Sequence, residues 1–325
     1  MLDSASERVV SLARRFAPAL AEALPRTPVE RRTFAGRPFL AKREDLQETG
    51  SFKVRGALCR LADLDPFVAR FGVVCASAGN HGKGVAWAAG RLGILATVVV
   101  PRETPEVKRR GIRDLGADLV VHDAPGYDAA EAFARRLAVE RNALFLSPFD
   151  DPHVQAGNGG VLALELAEQA PEMERVIVPV GGGGLAGGLC ATLAATRPLV
   201  EVEGAQSTAS PAMARSLRDG VVHETWPPAE TLAEGLEGGV AASSVALCRG
   251  RLAAIHEVSE ASIAEAMIRA RRELDVLLEG SAAVVLAAAL EGKIALDART
   301  VVVFTGRNVD PARLDALEAA EGRRV

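Results

Sequence analysis

From residue 72 onward, short runs of β-branched and other apolar residues alternate with longer stretches whose apolar residues recur every three or four positions. The continuous apolar runs predict strands at residues 73–76, 96–100, 119–122, 143–147, 176–180, 200–205 and 301–305. The periodic stretches predict helices at residues 84–92, 105–115, 129–141 and 260–278. Apolar strands that alternate with helices are typical of parallel sheets covered by helices on both faces. The pattern therefore predicts an α/β fold.

Length and charge narrow the function classes. The chain has 325 residues, which corresponds to about two domains at roughly 150 residues each. Apolar residues make up 49% and charged residues 25%, the balance of an ordinary globular protein. The net charge of −4 gives no basic field that would hold nucleic acid or an anionic membrane. We therefore expect neither nucleic acid nor a membrane among the partners of this protein.

One segment has the length of a membrane span, because residues 176–196 contain no charged residue. Pro179 and the glycines at 181–184, 187 and 188 lower both its helicity and its hydrophobicity, so we predict a strand, a glycine loop and a helix instead. The first fifteen residues carry charges throughout and do not resemble a signal peptide. The cysteines form no CxxC pair, which predicts reduced thiols and a cytoplasmic location; they are Cys59, Cys75, Cys190 and Cys248.

Lysine is rare in this chain. Among 38 basic residues only five are lysines, namely Lys42, Lys53, Lys83, Lys108 and Lys293. In a chain so rich in arginine, a lysine is a candidate for chemistry that a guanidinium cannot do, such as attack of a neutral amine on a carbonyl. We expect at least three of the five to be ordinary surface charges.

The predicted strand at residues 176–180 leads into a loop of four glycines, residues 181–184. Glycines let backbone N–H groups approach a ligand, and the helix that follows directs its positive dipole end at the loop. This arrangement favours a bound phosphate. Gly182, Gly184 and Gly187 also satisfy G-x-G-x-x-G, with Glu201 and Glu203 about 20 residues further on, so a nicotinamide dinucleotide is an alternative ligand.

Two other segments carry candidate chemistry. Residues 77–82, Ser-Ala-Gly-Asn-His-Gly, follow the strand at 73–76 and place polar groups at a helix start, which suits a carboxylate; plain helix capping is the alternative. Lys53 follows a Thr-Gly-Ser turn and has apolar neighbours, Phe52 and Val54. Partial burial would lower the pKa of its amine and favour imine chemistry.

A phosphate loop, a carboxylate loop and an imine-forming lysine together indicate pyridoxal phosphate acting on an amino acid. Four segments then resemble the serine/threonine dehydratases, a fold type II family of pyridoxal phosphate enzymes that also contains serine racemase. They are residues 42–57 (KREDLQETGSFKVRGA), 77–86 (SAGNHGKGVA), 148–152 (PFDDP) and 180–188 (VGGGGLAGG). The resemblance covers nearly the whole chain. It implies a tryptophan synthase beta-like fold with a large cofactor-binding domain, residues 1–69 plus 150–325, and a small domain, residues 70–149, that closes on the substrate.

The resemblance also implies roles for individual residues. Lys53 would form the Schiff base, flanked by Ser51 and Phe52, while Asn80 would bind the ring hydroxyl and Thr305 would face the ring nitrogen. The phosphate loop would be Gly181, Gly182, Gly183, Gly184 and Leu185. The substrate carboxylate would be bound by Ser51 and by the loop of Ser77, Ala78, Gly79, Asn80 and His81. Because a hydroxyl at Thr305 cannot stabilise a protonated ring nitrogen as a carboxylate would, the site favours β-elimination over a long-lived carbanion.

Two departures from the family pattern matter. The usual S-G-G-N appears here as residues 305–308, Thr-Gly-Arg-Asn, so that Arg307 introduces a cation. Either its guanidinium binds a second carboxylate of the substrate, or it forms an ion pair with Glu279 or Glu234. Where several relatives have acidic ligands for a divalent cation, this sequence has Gln206, Ser210 and Ala212, and we predict no metal there.

The leading hypothesis is therefore a lyase that removes water from a β-hydroxy amino acid of the L-threonine or L-serine type, giving a 2-oxo acid and ammonia. A dehydratase of another β-substituted amino acid, such as hydroxyaspartate or phenylserine, is an alternative. Serine racemase is a second one, although racemisation needs an acid on the face opposite Lys53, where that relative has a serine and this chain has Ala78. A nicotinamide-dependent dehydrogenase is a distant third. We expect a homo-oligomer, most simply a dimer.

Overall fold

The structure is a computed structural model that describes residues 3–124 and 126–321. Its strands are β1 (Val29–Phe34), β2 (Arg37–Lys42), β3 (Val73–Ala76), β4 (Ala96–Pro101), β5 (Asp118–His122), β6 (Leu144–Phe145), β7 (Arg175–Pro179), β8 (Glu201–Ser207), β9 (Leu252–Val258) and β10 (Thr300–Val303). Its helices are α1 (Ser4–Ala23), α2 (Lys53–Ala62), α3 (Pro66–Ala69), α4 (Asn80–Leu92), α5 (Glu106–Arg113), α6 (Tyr127–Glu140), α7 (Pro152–Gln155), α8 (Val161–Gln169), α9 (Gly184–Thr196), α10 (Ala212–Asp219), α11 (Ala242–Cys248), α12 (Glu260–Leu274), α13 (Gly280–Leu290) and α14 (Pro311–Glu321). Within the described residues, no helix is long and apolar enough to cross a membrane.

The larger sheet has six strands in the order β1-β2-β10-β7-β8-β9. Its neighbouring strands are parallel except at the edge, where β1 and β2 form an antiparallel hairpin. The hairpin turn consists of Ala35 and Gly36, which both adopt positive φ, 48° and 73°. A two-residue turn of this kind can join antiparallel strands only, whereas the parallel pairs need longer connections. The predicted α/β fold with parallel sheets is confirmed, with this hairpin as its antiparallel exception.

The smaller sheet has four parallel strands in the order β5-β4-β3-β6 and lies within residues 73–145. This segment falls inside the predicted small domain, residues 70–149. Helices from outside the segment also pack on it, because Val54 and Leu58 of α2 share one hydrophobic core with Val73 and Val85. The division into two domains stays a prediction.

In each sheet, successive strands are added on one side of a central strand and later on its other side. In the large sheet β8 and β9 follow on one side of β7, whereas β10 returns to its other side. In the small sheet β4 and β5 follow on one side of β3, whereas β6 returns to its other side. Ligands of open α/β sheets bind outside the carboxyl ends of the strands at such switch points. The segments that leave these strands are residues 180–184, 304–308, 77–80 and 146–149.

Three of the predicted elements begin or end at other residues than expected. The helix predicted at residues 260–278 ends at Leu274, because Asp275 adopts a left-handed conformation with φ 53°. The strand predicted at 143–147 is reduced to β6, two residues long. Helix α4 begins at Asn80, four residues before its predicted start at 84.

A buried cluster of charges lies beneath α2. Lys42, Glu44 and Arg55 have side chains that are 0%, 0% and 1% exposed. The Lys42 Nζ lies 2.6 Å from Oε2 of Glu165, and the same carboxylate receives Arg55. Burial lowers the pKa of Lys42, although the charges of Glu44 and Glu165 oppose the shift. Lys42 is thus a structural lysine, one of the five that sequence analysis considered.

Candidate active site

Lys53 is the first residue of α2 and lies at the junction of the two sheets. Its Nζ donates a hydrogen bond to the carbonyl of Pro148, 3.3 Å away, in the segment that leaves β6. Burial lowers the pKa of the Lys53 amine to about 8, and the negative charge of Glu279 opposes that shift. The buried surroundings inferred from Phe52 and Val54 are therefore present. An amine of this kind is neutral in an appreciable fraction near neutral pH and is a candidate nucleophile and base.

The expectation that at least three of the five lysines are ordinary surface charges is wrong. Lys42 is buried, and both Lys53 and Lys83 lie half-buried at the junction of the sheets. Side chains of Lys108 and Lys293 are 37% and 42% exposed. In an arginine-rich chain, the compact ammonium has been kept mainly at enclosed positions.

The glycine loop runs from the end of β7 into the first residue of α9, as predicted. Gly183 adopts a left-handed conformation with φ +89°, and a Cβ there would lie 2.4 Å from the Cε of Met213. A Cβ on Gly182 would meet the ring of Phe149 at 2.3 Å. Because the first N–H groups of a helix have no acceptor in a preceding turn, the start of α9 supplies donors and a positive dipole end. This loop, with Gly181, Gly184 and Leu185, is a candidate phosphate cradle.

The loop after β3 brings Ser77, Ala78 and Gly79 to the start of α4, with all three half-buried. The Ser77 hydroxyl accepts a hydrogen bond from the backbone N–H of Gly79 at 3.1 Å. His81 differs from the rest, because its Nε2 lies 3.0 Å from the carbonyl of Leu146 and the ring is buried. Burial and the positive charge of Lys53 lower the pKa of His81 to about 3, so the ring is neutral. A neutral ring held at Leu146 leaves the backbone of this loop as its anion-binding part.

The segment that follows β10 closes the site on the other side. The backbone N–H of Phe52 donates to the carbonyl of Thr305 at 3.1 Å, and Ser51 pairs with Gly306 in an isolated bridge. Thr305 is buried beside the turn that carries Lys53. The hydroxyls of Ser51 and Thr49 are buried without a hydrogen-bond partner in the described part of the chain. Buried polar groups are normally paired, so these two hydroxyls indicate that a ligand completes the site.

Four polar groups in this site were not assigned from the sequence. The side chain of Glu279, just before α13, accepts a hydrogen bond from Asn80 Nδ2 at 2.7 Å, and its own backbone N–H donates to Gly306. Lys83 and Asn308 are bonded to each other at 3.0 Å, and Pro148 offers its carbonyl to Lys53. Lys83, Asn308 and Pro148 lie in the motifs quoted above, whereas Glu279 lies in none of them and was considered only as an ion-pair partner of Arg307.

Arg307 lies at the rim of this site, where its backbone N–H donates to the carbonyl of Gly50 at 3.0 Å. The ion pair considered for its guanidinium is wrong for both candidate acids. Glu234 binds Lys108 and Arg313, and Glu279 binds Asn80. The Arg307 residue is exposed and forms no ion pair with any described residue.

Gln206 and Ser210, which occupy two of the positions where relatives have metal ligands, form hydrogen bonds within the protein. The Gln206 Oε1 accepts from the backbone N–H of Ala214 at 3.0 Å, and the Ser210 hydroxyl accepts from the N–H of Gly238 at 3.0 Å. Ala212, the third aligned position, is the first residue of α10. Among the described residues, no cluster of three histidine, cysteine or acidic side chains could hold a metal ion. The absence of a bound cation stays a prediction.

Comparison with known proteins identifies the family. The family model of the pyridoxal-phosphate dependent enzymes matches residues 20–306 of this chain. The chain belongs to that family.

Its relatives agree with the resemblance drawn from the motifs. An L-threonine ammonia-lyase of Geobacter sulfurreducens is 38% identical over 279 residues, which cover 85% of this chain and 68% of that protein. The catabolic L-threonine dehydratase of Escherichia coli K12 is 34% identical over 298 residues, 90% of this chain and 89% of that protein. The structure of maize serine racemase superimposes with a TM-score of 0.87 at 29% identity, covering 97% of this chain and 99% of that one. The dehydrogenase alternative has no support from this family.

The residues present fit pyridoxal phosphate. A phosphate is accommodated by the glycine cradle, which has no room for a Cβ at Gly182 or Gly183. An aldehyde is accommodated by the Lys53 amine, whose lowered pKa favours the neutral form. The unpartnered Ser51 hydroxyl lies two residues before Lys53, and Asn80 bonds Glu279, whose charge acts on the Lys53 amine. Lys53 and this cradle contact the same segment, because Lys53 bonds Pro148 and a Cβ on Gly182 would meet the ring of Phe149.

Proposed function

We propose that this protein removes water from L-threonine or L-serine and releases the corresponding 2-oxo acid and ammonia. The observation that carries the proposal is the Lys53 amine, whose pKa burial lowers to about 8 and which bonds Pro148, the residue before the Phe149 that packs against the glycine cradle. Relatives that match 85% and 90% of this chain carry the names L-threonine ammonia-lyase and L-threonine dehydratase. The family and the site therefore support the same reaction.

In this proposal each part of the site has one task. Bound pyridoxal phosphate supplies a ring that withdraws electrons from the substrate Cα. Lys53 would hold the cofactor through its Nζ, and the same Nζ would accept the Cα proton of the substrate. Residues 181–185 hold the phosphate through backbone N–H groups. The Thr305 hydroxyl would lie at the ring nitrogen without adding negative charge, which would favour prompt departure of the β-hydroxyl group.

The substrate carboxylate would bind at the start of α4. Residues 77–81 would present their backbone N–H groups together with the Ser77 and Ser51 hydroxyls to it. Fixing the carboxylate there orients the Cα–H bond towards Lys53. The methyl group of Ala78 cannot donate a proton to the opposite face of Cα, which supports elimination over racemisation.

We further propose that residues 70–149 form a small domain that moves against the remainder of the chain and excludes water from the reaction. Lys108 of α5 reaches across to Glu234 with an Nζ–Oε2 distance of 2.7 Å, and Glu234 also pairs with Arg313 of α14. The first of these contacts links residues 70–149 to the remainder of the chain, as the proposed closure would require. Identical placement of residues 70–149 in substrate-free and substrate-bound crystals would contradict the movement.

The dimer and the cytoplasmic location also stay predictions.

A panel of amino acids tests the proposed reaction. The holoenzyme is supplied with L-threonine, L-serine, D-serine, 3-hydroxyaspartate and 3-phenylserine, and ammonia and 2-oxo acid are measured together. We expect equal amounts of both products, with L-threonine or L-serine turned over fastest. Lys53→Ala should lose turnover, whereas Lys293→Ala, at an exposed lysine outside the site, should retain it. Formation of D-serine from L-serine without ammonia would show a racemase instead, and preference for hydroxyaspartate would show the acidic-substrate alternative.

A further inference from the structure

Four polar side chains form an unbroken series of hydrogen bonds across the active site. The Lys83 Nζ lies 3.0 Å from Oδ1 of Asn308, and the Asn308 Nδ2 lies 2.7 Å from Oδ1 of Asn80. The Asn80 Nδ2 then lies 2.7 Å from Oε1 of Glu279. The series starts on α4, crosses to the segment after β10, returns to the first residue of α4 and ends beside α13. We call these four residues the amide relay.

The two charged ends of the amide relay fix the direction of every bond between them. A lysine ammonium has donors only, so the atom of Asn308 that faces it is the carbonyl oxygen. A carboxylate has acceptors only, so the atom of Asn80 that faces Glu279 is the amide nitrogen. Asn308 also donates its Nδ2 to the backbone carbonyl of Thr49 at 2.8 Å, which agrees with that orientation. Neither amide can be turned over without placing like groups in contact.

The fixed orientation leaves one donor of Asn80 free for a ligand. The Oδ1 of Asn80 is occupied by Asn308, and one hydrogen of its Nδ2 is occupied by Glu279. An amide nitrogen carries two hydrogens, and the second forms no hydrogen bond with a described residue, so it is available to a ligand. A turned amide would present its oxygen there instead. An anionic ligand oxygen would then meet an acceptor in place of a donor.

We propose that Lys83 and Glu279 are positioning residues, which hold the Asn80 amide so that its second N–H is available to the anionic ring oxygen of pyridoxal phosphate. The inference rests on the proposed function, because Asn80 is assigned to that oxygen there by resemblance. Neither Lys83 nor Glu279 needs to touch the cofactor for this role. Their charges act through two amides.

The surroundings of the charged ends set the pH range in which the relay is directional. Burial raises the pKa of Glu279 to about 7, and the charge of Glu234 adds to this shift. The shift is opposed by hydrogen bonds from the Asn80 side chain and the Asn308 backbone, and by the charge of Lys83. Burial lowers the pKa of Lys83; Glu279 opposes this shift, and Lys108 adds to it. Lys53 also faces Glu279 from α2. As pH falls through about 7, Glu279 gains a proton that can be donated, and the orientation of Asn80 is no longer fixed from that end.

The first test replaces the carboxylate by an amide of the same size. In the Glu279→Gln holoenzyme, either end of the glutamine can face Asn80, so the Asn80 amide is oriented from the Lys83 end alone and by no charged acceptor. We expect cofactor affinity, measured by ultrafiltration, to fall about tenfold, the size expected for loss of one charge-assisted hydrogen bond. The visible absorption maximum of the bound cofactor should shift, and its change with pH near 7 should disappear. Glu291→Gln at the other end of α13 is the matched control and should keep the wild-type spectrum and affinity.

The second test starts from the other end and does not depend on the first. Lys83→Met removes the donor and should weaken cofactor binding, whereas Lys83→Arg keeps a donor and should restore most of it. In an Asn80→Ala background, neither Lys83→Met nor Glu279→Gln should weaken binding further, because the residue through which they act is gone. Wild-type affinity and spectrum in both single variants would overturn the proposal. Additive losses in the Asn80→Ala background would overturn it as well.

The outcomes separate this inference from the proposed function. If the wild-type protein released no ammonia from any amino acid of the panel, the proposed reaction would fail. Cofactor affinity and absorption in the Lys83 and Glu279 variants would still report on the relay. If ammonia were released normally and those variants bound the cofactor as the wild type does, only the relay would fail.

Discussion

Arg55 and Glu44 form an ion pair from which water is excluded. The Arg55 Nε lies 2.7 Å from Oε2 of Glu44, and the two side chains are 1% and 0% exposed. The same guanidinium binds Glu165 at 2.7 Å. Because Arg55 follows Lys53 by two residues on α2, this pair holds the helix that presents the reactive amine.

Removing one partner of that pair should be costly. In Glu44→Gln the buried guanidinium of Arg55 loses half of its compensation, and we expect a loss of about 3–5 kcal/mol in the free energy of unfolding. Urea unfolding followed by circular dichroism measures it. The exposed pair of Arg26 and Glu168, 43% and 70% exposed, provides the control, and Glu168→Gln should cost about 0–1 kcal/mol. Equal losses in the two variants would contradict the role of burial.

The lowered pKa of Lys53 predicts how cofactor capture depends on pH. Only the neutral amine attacks an aldehyde, and its fraction rises as pH rises through about 8 instead of the ordinary 10.5. The rate at which visible absorption develops after mixing cofactor-free protein with pyridoxal phosphate should therefore increase with pH and level off above about 8. Stopped-flow absorbance measures this rate. A rate that still rises steeply at pH 10 would show that the amine is not perturbed.

Gly183 should be essential to the phosphate cradle. An alanine there would have to adopt φ +89° with its Cβ 2.4 Å from Met213, and we expect a stability loss of about 1–3 kcal/mol together with weaker cofactor binding. Gly220 is the matched control, because its φ is +75° and nothing lies within 4 Å of a Cβ there. Gly220→Ala should cost about 1 kcal/mol and leave cofactor affinity unchanged. Similar cofactor affinity in both variants would argue against a phosphate at residues 181–185.

Arg307 distinguishes the two substrate classes. Its guanidinium is exposed at the rim of the site and forms no ion pair with the described residues, so it is free to meet a second carboxylate of a substrate. If it does so, Arg307→Gly should lose about 2–4 kcal/mol of transition-state binding for hydroxyaspartate and keep its kcat/KM for threonine. Steady-state kinetics with the two substrates measures both. Equal losses on both would mean that Arg307 only supports the loop.

The strands and loops that bind the cofactor were predictable because their signals are local. A run of apolar residues followed by four glycines predicts β7, the loop and α9 from adjacent positions alone. The hairpin of β1 and β2 was missed because β1 reads Val-Glu-Arg-Arg-Thr-Phe, whose polar residues are half-buried or exposed at the sheet edge. Its pairing with β2 and the position of β10 beside β2 decide its conformation, and neither is visible in six residues.

The role of Glu279 in the site could not be predicted from the sequence. It precedes an apolar helix in the segment Leu-Leu-Glu-Gly-Ser, which looks like an ordinary helix start. Its bond to Asn80 joins residues 199 positions apart, and no local pattern encodes that contact. Arg307 is the opposite case, because the sequence indicated that it lies near the site. The sequence did not show that Glu234 and Glu279 are already bonded to other residues.

The position of β10 has a consequence for how the chain folds. This strand, residues 300–303, lies between β2 and β7, so the ribosome makes the middle of the large sheet after both of its flanks. Until then β2 and β7 each expose an unpaired edge, the kind of surface on which chains aggregate. Formation of the sheet must also wait for contacts separated by more than 250 residues, which predicts slow folding. Ribosome-bound chains truncated before residue 300 should therefore need chaperones that shield strand edges.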